Sequence, residues 1–538
     1  MNRPVVLIIL DGWGLAPPGP GNAVSQARTP NMDSLWVSFP HCQLKASGEA
    51  VGLPAGEMGN SEVGHMTLGA GRIVFQTLKR INLAIADGSF FQNKAFLKAI
   101  KHVKNNNSSL HLLGLVSPGC VHSSLEHLFA LLRLAKEQGL KRVFVHAFTD
   151  GRDTSPTSAL SYLQQLEAKM KQLGVGKIAS VSGRYFAMDR DLRWKRTKKA
   201  YDALTSGLGE KAYSYKEAVQ NSYQKGRTDE FILPTVILEK SGKPVALISD
   251  GDGVIFFNFR EDRARQLTYP FVLPNFEKAE VRPPSFDPYA EKYHRREKIP
   301  KTKTFVRKKK LSNLCFVTMT EYDKNLKVEV AFPRLLVELP LAQVLSLHGL
   351  RQLHLAETEK FPHVTYFFDG GREKPFFGED QVSIPSPKVP TYDLKPEMSA
   401  YEVTDFLLER LKKRIYDFIL VNFANPDMVG HTGVLEAGIK ACETVDKCLG
   451  EVVKKVLGVG GACVVTADHG NAEIMINPTT GEVDTEHSTS PVPCVIVEKE
   501  LRGGRELPMG GLADIAPTVL SLMKISQPSI MTGRNLLG

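Results

Sequence analysis

The stretch PVVLIIL at residues 4–10, followed directly by Asp11, predicts a buried strand that ends in a carboxylate. Ligands of open α/β sheets gather at the carboxyl ends of parallel strands. We therefore expect Asp11 to lie beside the side chains that follow other buried strands. Two further apolar runs have this form: YDFILVNF (416–423) before Asp427, and ACVVT (462–466) before Asp468.

Similar apolar runs, each followed by a polar turn and a helical pattern, recur along the chain and are typical of parallel strands with crossover helices. The predicted fold class is therefore α/β. The middle of the chain has four such runs, at 110–116, 142–148, 177–181 and 254–259. They lead to a different chemistry, namely to His122, Arg152, Asp153, Arg184 and Arg260.

This change of chemistry indicates two domains. Residues from about 78 to 310 are expected to form a second α/β domain inserted into the first, which residues 1–77 and 311–538 would form together. The crossings are expected near 75–80 and near 307–315. Two connections make a hinge, and a cleft between the two ligand-bearing edges would suit a small anionic substrate.

The formal charge of +10 is concentrated in one stretch of the 538 residues. Between Arg282 and Lys310 there are eleven Lys or Arg residues and three acidic ones. Such a run usually forms a solvated, mobile loop. Contact with nucleic acid or an acidic surface is the weaker alternative, because no aromatic stacking ladder accompanies the charge.

The chain has no feature of a secreted or membrane protein. The apolar run near the start is too short for a signal core, and no stretch approaches the roughly 20 apolar residues of a membrane span. Seven scattered cysteines without paired spacing argue against a disulfide framework. We therefore expect a soluble protein of the cytoplasm that has no membrane partner.

The aspartates at the strand ends and several nearby histidines form a candidate metal site. Carboxylates and neutral imidazoles suit divalent cations such as manganese or zinc, and this set is large enough for two ions. Asp427 and His431 alone would more often be a surface pair, but their spacing could place both on one helical face. The candidate ligands are Asp11, Ser61, Asp427, His431, Asp468, His469 and His487.

Ser61 lies in the glycine-rich stretch GEMGNSEVGH at residues 56–65, where a serine ordinarily caps a helix. A functional interpretation has two supports. A helix that begins here would aim its amide groups at a phosphate, and a metal ion would lower the pKa of the hydroxyl. Local sequence leaves both interpretations open.

The arginines near the middle strands could clamp a carboxylate and a phosphate together, although arginine is also a common surface residue. His122 and Asp153 could contact hydroxyl groups or move a proton. Lys360, in AETEKFPH, could neutralise the charge of a phosphoryl group during its transfer, although a solvated lysine is the ordinary interpretation. The candidate arginines are Arg152, Arg184, Arg190, Arg260 and Arg263.

Eight motifs, in this order, resemble the cofactor-independent phosphoglycerate mutases of the alkaline phosphatase superfamily. The motifs are LIILDGWG, GEMGNSEVGH, HAFTDGRDT, SGRYFAMDRD, NFREDRARQL, LRQLHLAETEKFPHVTYFF, NFANPDMVGHTG and VTADHGNAE. The resemblance covers nearly the whole chain. It implies an alkaline-phosphatase-like domain with two manganese ions, cobalt and zinc being alternatives, and an inserted phosphotransferase domain. It also implies that no 2,3-bisphosphoglycerate is required.

The resemblance also implies roles for individual residues. One ion would bind Asp427, His431 and His487, and the other Asp11, Ser61, Asp468 and His469. Ser61 would become phosphoserine. Substrate would contact His122, Arg152, Asp153, Arg184, Arg190, Arg260, Arg263 and Lys360.

The implied activity is the interconversion of 3-phosphoglycerate and 2-phosphoglycerate, and we expect a monomer. A metal-dependent phosphohydrolase and a phosphopentomutase are the enzymatic alternatives. A catalytically dead binding protein is the alternative from another class. The basic stretch at about 283–310 departs from the family pattern, which puts the behaviour of the hinge in question.

Overall fold

The computed structural model of the protein describes residues 3–279, 281, 303–334 and 336–538. The strands are β1 Val5–Leu10, β2 His41–Lys45, β3 Leu110–Leu115, β4 Val143–Thr149, β5 Lys177–Gly183, β6 Glu210–Ala212, β7 Thr235–Ile237, β8 Gly253–Phe256, β9 Cys315–Thr320, β10 Glu329–Phe332, β11 Gln352–Glu357, β12 Glu379–Ile384, β13 Phe418–Phe423, β14 Ala462–Thr466, β15 Val492–Val497 and β16 Gly510–Gly511.

The α-helices alternate with these strands along much of the chain. They are α1 Ala23–Gln26, α2 Pro30–Ser38, α3 Ser61–Ala70, α4 Thr77–Asp87, α5 Lys94–Asn105, α6 Leu125–Glu137, α7 Ala159–Leu173, α8 Arg184–Ala187, α9 Trp194–Ser206, α10 Tyr215–Gln224, α11 Glu261–Val272, α12 Leu341–Leu347, α13 Ala400–Lys413, α14 Asn425–Gly430, α15 Leu435–Gly458 and α16 Ile515–Leu522. The α/β class predicted from the sequence is confirmed.

The first of two compact units contains residues 3–76 and 336–538. Its sheet has the order β12-β11-β13-β1-β14-β15-β2-β16. β1 pairs in parallel with both β13 and β14, and all six of its residues are buried. An unbroken apolar run is expected for a strand that is covered on both faces. The three predicted strands are therefore neighbours, and their carboxyl ends share one edge.

The second unit contains the described residues from 77 to 334. Its sheet has the order β10-β9-β8-β3-β4-β5-β7-β6. All pairings in it are parallel except that of β5 with β7. The four strands predicted in the middle of the chain, β3, β4, β5 and β8, lie near its centre. Their carboxyl ends also share one edge.

The boundary expected near residue 310 differs from the structure. β9 pairs in parallel with β8, and β10 pairs with β9, so residues 311–334 belong to the second unit. The chain therefore crosses back near residue 334. The apolar run CFVTMT of β9 predicts a strand but not its partner, because pairing partners far away in sequence leave no local signal.

The basic stretch at about 283–310 lies outside the described residues as far as residue 302. In its described end Lys303, Lys308 and Lys310 are exposed, whereas Arg307 is only 8% exposed. The Arg307 guanidinium donates to the Glu277 carboxylate at 2.6 Å and to the Pro270 carbonyl at 2.9 Å. This arginine therefore helps to hold the segment onto the second unit.

Two further expectations concern cysteines and membranes. All seven cysteines are free thiols, as expected, and only Cys120 is exposed. Among the described residues, no helix combines the length and the apolar character that a membrane crossing needs.

Candidate active site

The carboxyl edge of the first sheet brings together side chains from five segments. Asp11 directly follows β1, Asp427 lies in α14 after β13, and Asp468 follows β14. Lys360 follows β11, and Ser61 is the first residue of α3. None of these five residues is more than 5% exposed. The edge therefore holds a buried polar site.

The Ser61 hydroxyl lies at the centre of this site. Its Oγ is 2.7 Å from Lys360 Nζ, 3.0 Å from His469 Nε2 and 3.2 Å from Asp11 Oδ1. Asn60 caps α3 instead, because its side chain accepts a hydrogen bond from the Val63 amide at 3.1 Å. The ordinary interpretation of Ser61 as a helix cap is therefore wrong, and its hydroxyl is available to the site.

Lys360 is a buried cation and not a solvated surface residue. Its ammonium group donates to Asp11 Oδ1 at 2.7 Å and also to Asp427 Oδ2. Burial opposes the charge, but the Asp11 and Asp427 carboxylates raise the pKa of Lys360 above its usual range. Lys360 is therefore positively charged at the centre of an acidic site.

Two histidines and one carboxylate of the site face each other through their ligand atoms. The Nδ1 atoms of His431 and His487 lie 2.8 and 2.9 Å from the carbonyl oxygens of Thr485 and Gly59, so these nitrogens donate. Their Nε2 atoms lie 3.0 Å apart and are each 3.3 Å from Asp427 Oδ1. Such converging acceptors need a proton or a metal cation between them, and this donor set fits a divalent metal ion.

The remaining predicted ligands lie beside this group. His469 Nε2 is 3.5 Å from Asp11 Oδ1, 3.6 Å from Asp468 Oδ2 and 3.8 Å from Asp427 Oδ1. His469 thus links the ligands assigned to one ion with those assigned to the other. The structure brings all seven predicted ligands to one place.

Sequence reasoning missed His65 and Asn422. His65 forms a potential metal-binding group with Asp11 and Asp468, and its Nδ1 is 3.1 Å from Asp468 Oδ2. The Asn422 amide donates to Asp11 Oδ2 at 2.6 Å. The signal for His65 was present, since it follows Ser61 by four residues and therefore lies on the same face of α3.

The carboxyl edge of the second sheet holds the predicted arginines. His122 follows β3, Arg152 and Asp153 follow β4, Arg184 begins the short helix after β5, and Arg260 follows β8. Unlike the first site, this one is partly open to solvent, because the side chains of Arg152 and Arg260 are 53% and 50% exposed.

Arg184 is the buried anchor of this second site. Its guanidinium Nη1 donates to Asp150 Oδ1 at 2.7 Å and also to Asp153. Asp150, which sequence reasoning missed, accepts further hydrogen bonds from the Ser117 hydroxyl and the Asp153 amide. Burial raises the pKa of Asp150, but these hydrogen bonds outweigh it and the pKa is lowered overall. Arg184 is thus fixed by two carboxylates.

Asp262, also missed, holds the more exposed arginines. Its carboxylate lies 2.8 Å from Arg190 Nη1 and 3.4 Å from Arg260 Nε. Arg263 donates to the Met188 carbonyl oxygen at 3.4 Å, and burial, followed by the charges of Arg190 and its neighbours, lowers its pKa. These arginines therefore form a concentrated positive patch.

His122 lies between the carboxylates of this site, 3.8 Å from Asp153 Oδ2 and 3.6 Å from Asp262 Oδ1. Burial and the charge of Arg184 lower the pKa of His122 to about 4. The imidazole is therefore neutral near pH 7.

The chain is similar to known proteins over nearly its whole length. Residues 81–324 match the family model described as BPG-independent PGAM N-terminus. The chain is 54% identical to 2,3-bisphosphoglycerate-independent phosphoglycerate mutase of Chloroflexus aggregans, over 99% of this chain and 98% of the relative. The chain belongs to the 2,3-bisphosphoglycerate-independent phosphoglycerate mutases. The corresponding mutase 1 of Methanosarcina barkeri is 52% identical, over 100% of this chain and 98% of the relative.

Among solved structures, Leishmania mexicana phosphoglycerate mutase at low cobalt concentration is similar to this mutase. The TM-score is 0.63 and the identity 31%, over 99% of this chain and 98% of the other. The resemblance stated from the motifs is therefore confirmed. The phosphohydrolase and phosphopentomutase alternatives receive no support from these relatives.

Proposed function

We propose that the chain interconverts 3-phosphoglycerate and 2-phosphoglycerate by passing the phosphoryl group to Ser61 and back, without 2,3-bisphosphoglycerate. The family supports the choice of substrate. The position of Ser61 carries the proposal for the nucleophile, because its buried hydroxyl lies 2.7 Å from the Lys360 ammonium and 3.2 Å from the Asp11 carboxylate. An ordinary helix serine would have no such surroundings.

Two divalent cations would be held by the residues of the first site. Asp427, His431 and His487 would bind one ion. The second would bind Asp11, Ser61, Asp468 and His469, with His65 beside them. When bound, such ions lower the pKa of a coordinated hydroxyl and offset phosphate charge.

In the first half-reaction, a bond forms between Ser61 Oγ and phosphorus, and the bond between phosphorus and O3 of glycerate breaks. Ser61 loses one proton and O3 gains one, so the reaction exchanges a proton for a phosphoryl group. Asp11 accepts the hydrogen bond of the Ser61 hydroxyl and would orient the hydroxyl for attack. The Lys360 ammonium would stabilise negative charge on the phosphoryl oxygens.

The second site would retain glycerate while the phosphoryl group resides on Ser61. Its arginines present planar donors that pair with carboxylates. In the second half-reaction a bond would form between phosphorus and O2 of glycerate and the bond between phosphorus and Ser61 Oγ would break, with O2 losing one proton and Ser61 Oγ gaining one. Neutral His122 could contact the 2-hydroxyl. Retention of glycerate is what would separate this mutase from a phosphatase, because loss of glycerate would leave water as the only acceptor.

Ser61→Ala tests the nucleophile. We expect mutase activity to disappear while bound metal stays largely in place, because the other ligands remain. In the wild-type chain, acid quenching during turnover followed by peptide mass spectrometry should find phosphate on Ser61. Thr67→Val is the matched control on α3, because Thr67 donates only to the Val63 carbonyl oxygen, and it should remain active. Mutase activity in Ser61→Ala, or phosphate on another residue, would contradict the proposal.

We also propose that manganese is the physiological ion and that the chain acts as a monomer in the cytoplasm. Cobalt and zinc accept similar ligands, so availability would decide among them. Elemental analysis of protein from its native cells, light scattering and a mutase assay across metals would test these points. Zinc as the bound ion or a stable dimer would contradict them.

A further inference from the structure

A buried asparagine lies in an otherwise apolar strand of the first unit. Asn422 belongs to β13, FILVNF, is 0% exposed and pairs with Ile9 of β1. Parallel strands that are covered on both faces normally carry apolar side chains. A buried amide costs free energy unless its hydrogen bonds are made. The contacts of Asn422 should therefore show why a polar side chain stands at this position.

The Asn422 amide lies between a carboxylate and an imidazole. Its Nδ2 is 2.6 Å from Asp11 Oδ2 and 3.0 Å from His65 Nε2. An ionised carboxylate only accepts hydrogen bonds, so the nitrogen of the amide, and not its oxygen, must face Asp11. The second hydrogen of this nitrogen is available to His65. His65 Nε2 therefore accepts and carries no proton.

The other ring nitrogen of His65 then carries the proton. His65 Nδ1 donates to the Ser61 carbonyl oxygen at 2.9 Å and lies 3.1 Å from Asp468 Oδ2. With Nδ1 protonated and Nε2 occupied by Asn422, the imidazole has no lone pair left for a cation. His65 is therefore not a ligand itself, although it lies among residues that could hold an ion.

The same hydrogen bonds decide which ligand atoms remain available. Because Asn422 holds Asp11 Oδ2, Asp11 Oδ1 faces the site, 2.7 Å from Lys360 Nζ and 3.2 Å from Ser61 Oγ. Asp468 Oδ2 is buried and makes no hydrogen bond within the described residues. Asp11 is thus linked through Asn422 and His65 to the backbone of Ser61, and one oxygen of each aspartate stays available to a cation.

We propose that Asn422 and His65 are positioning residues, which hold Asp11 and Ser61 in the geometry that the second ion requires. The inference rests on the two-ion site of the proposed function. Outer hydrogen-bond partners orient the ligands of metal sites, and removal of one typically lowers metal affinity about 10–100-fold.

The expected effect falls on one ion. In the part of the chain that the structure describes, the side-chain hydrogen bonds of Asn422 and His65 go to each other, to Asp11 and to Ser61. They do not go to the residues proposed to hold the first ion, which are Asp427, His431 and His487. Loss of either positioning residue should therefore weaken the second ion and spare the first.

Manganese titration of the metal-stripped full-length chain, with the free ion measured by electron paramagnetic resonance, tests this proposal. We expect two bound ions in the wild type. In Asn422→Leu one affinity should fall about 10–100-fold while the other is kept. Gln352→Leu is the matched control, because Gln352 is a buried amide of the neighbouring strand β11 that donates to the Ala342 carbonyl oxygen. It should keep both affinities even if it lowers stability.

Two further changes identify the weakened ion. His431→Ala removes a ligand of the first ion, and Asp468→Asn removes a ligand of the second. Adding Asn422→Leu to His431→Ala should weaken the ion that remains, whereas adding it to Asp468→Asn should leave the remaining ion unaffected. Equal weakening in both backgrounds would indicate a general loss of structure and would overturn the proposal.

His65→Asn repeats the test from the other end of the chain of hydrogen bonds and serves if Asn422→Leu fails to fold. Its shorter amide can still donate to the Ser61 carbonyl oxygen but offers no acceptor to Asn422, so one affinity should again fall. Thr67→Val, on the same helix, should keep both.

Mutase activity supplies the last readout. A high manganese concentration should restore most of the activity of Asn422→Leu, because a positioning residue takes no part in the chemistry. Two ions of unchanged affinity in both Asn422→Leu and His65→Asn would overturn this inference alone. Fewer than two ions in the wild type would overturn the two-ion site and the inference with it.

Discussion

In the first unit, Lys360, Asp11 and Asp427 are each no more than 3% exposed. In the second unit, the side chains of Arg152, Arg190 and Arg260 keep about half of their surface, with 53%, 47% and 50% exposed. Both sites lie on the carboxyl edge of a largely parallel sheet. They differ in how far their charged groups have been removed from water.

We relate this difference in exposure to two functions, stabilisation of the transition state and binding of the substrate. A buried array such as the first needs little rearrangement when charge develops, which is what stabilisation of a transition state requires. Ion pairs of exposed arginines contribute little to stability. Such arginines can therefore exchange a protein carboxylate for the carboxylate of a substrate. We therefore expect changes in the first site to lower kcat, and changes among the exposed arginines to raise KM.

The largest effect should come from Lys360→Met. Removing this ammonium leaves Ser61 and the transferring group without their nearest cation, and we expect kcat to fall by about 10³-fold. Elemental analysis should find the metal content unchanged, because Asp11 and Asp427 remain. Lys440→Met is the control, since its side chain is 62% exposed. A loss of less than tenfold would mean that burial does not mark the catalytic cation.

Arg184→Met should have the largest effect in the second unit, where Arg184 is the buried exception. The change leaves the carboxylates of Asp150 and Asp153 without their cationic partner. Removing one partner of a buried ion pair typically costs about 3–5 kcal/mol of unfolding free energy. Urea unfolding, with hydrogen exchange followed in β4 and β5, measures the loss. Adding Asp150→Asn should restore part of it. Arg193→Met, at a 56% exposed side chain, should be nearly neutral; a similar loss there would contradict the comparison.

The strands and their terminal aspartates could be predicted from the sequence because their signals are local. An unbroken apolar run followed by Asp11 or Asp468 predicts a parallel strand that is covered on both faces and ends in a ligand. This prediction does not require the neighbouring strands to be known. The partners of the arginines could not be predicted in this way. No local sequence pattern identifies Asp150 and Asp262, because their role depends on side chains that follow other strands.

The domain boundary was wrong for a related reason. β9 has the same apolar character as the strands of the first sheet, and only its hydrogen bonds to β8 assign it to the second. The individual metal and substrate roles came from the family motifs. They stay predictions, although the structure brings the residues together.

Glu357→Gln should change how stability depends on pH. Burial raises the pKa of Glu357, at the end of β11, to about 7, and the charges of Glu359 and Glu402 add to this effect. The folded pKa lies above the unfolded one, so the contribution to stability is present below about pH 4 and is lost as pH rises through 7. A shift of this size corresponds to about 3 kcal/mol.

The contribution of Glu357 is the difference in unfolding free energy between the wild type and Glu357→Gln. Urea unfolding at about pH 5 and about pH 8 measures this difference. The variant should become relatively more stable at the higher pH. Glu436→Gln, at an exposed carboxylate, should show a difference that does not depend on pH. If the difference in unfolding free energy between the wild type and Glu357→Gln did not change with pH, a counter-charge or water would have to reach this carboxyl.

The smallest effect should come from Arg190→Gln. This guanidinium is 47% exposed and pairs with Asp262, so its loss removes one contact to an anionic substrate without leaving a buried charge. We expect KM to rise about tenfold with kcat nearly unchanged, and the difference to shrink with added salt because exposed charges are screened. Arg133→Gln, at a similarly exposed arginine of α6, should leave both constants unaltered. If Arg190→Gln lowered kcat instead, the exposed arginines would belong to the transition state, and exposure would no longer separate capture of the substrate from catalysis.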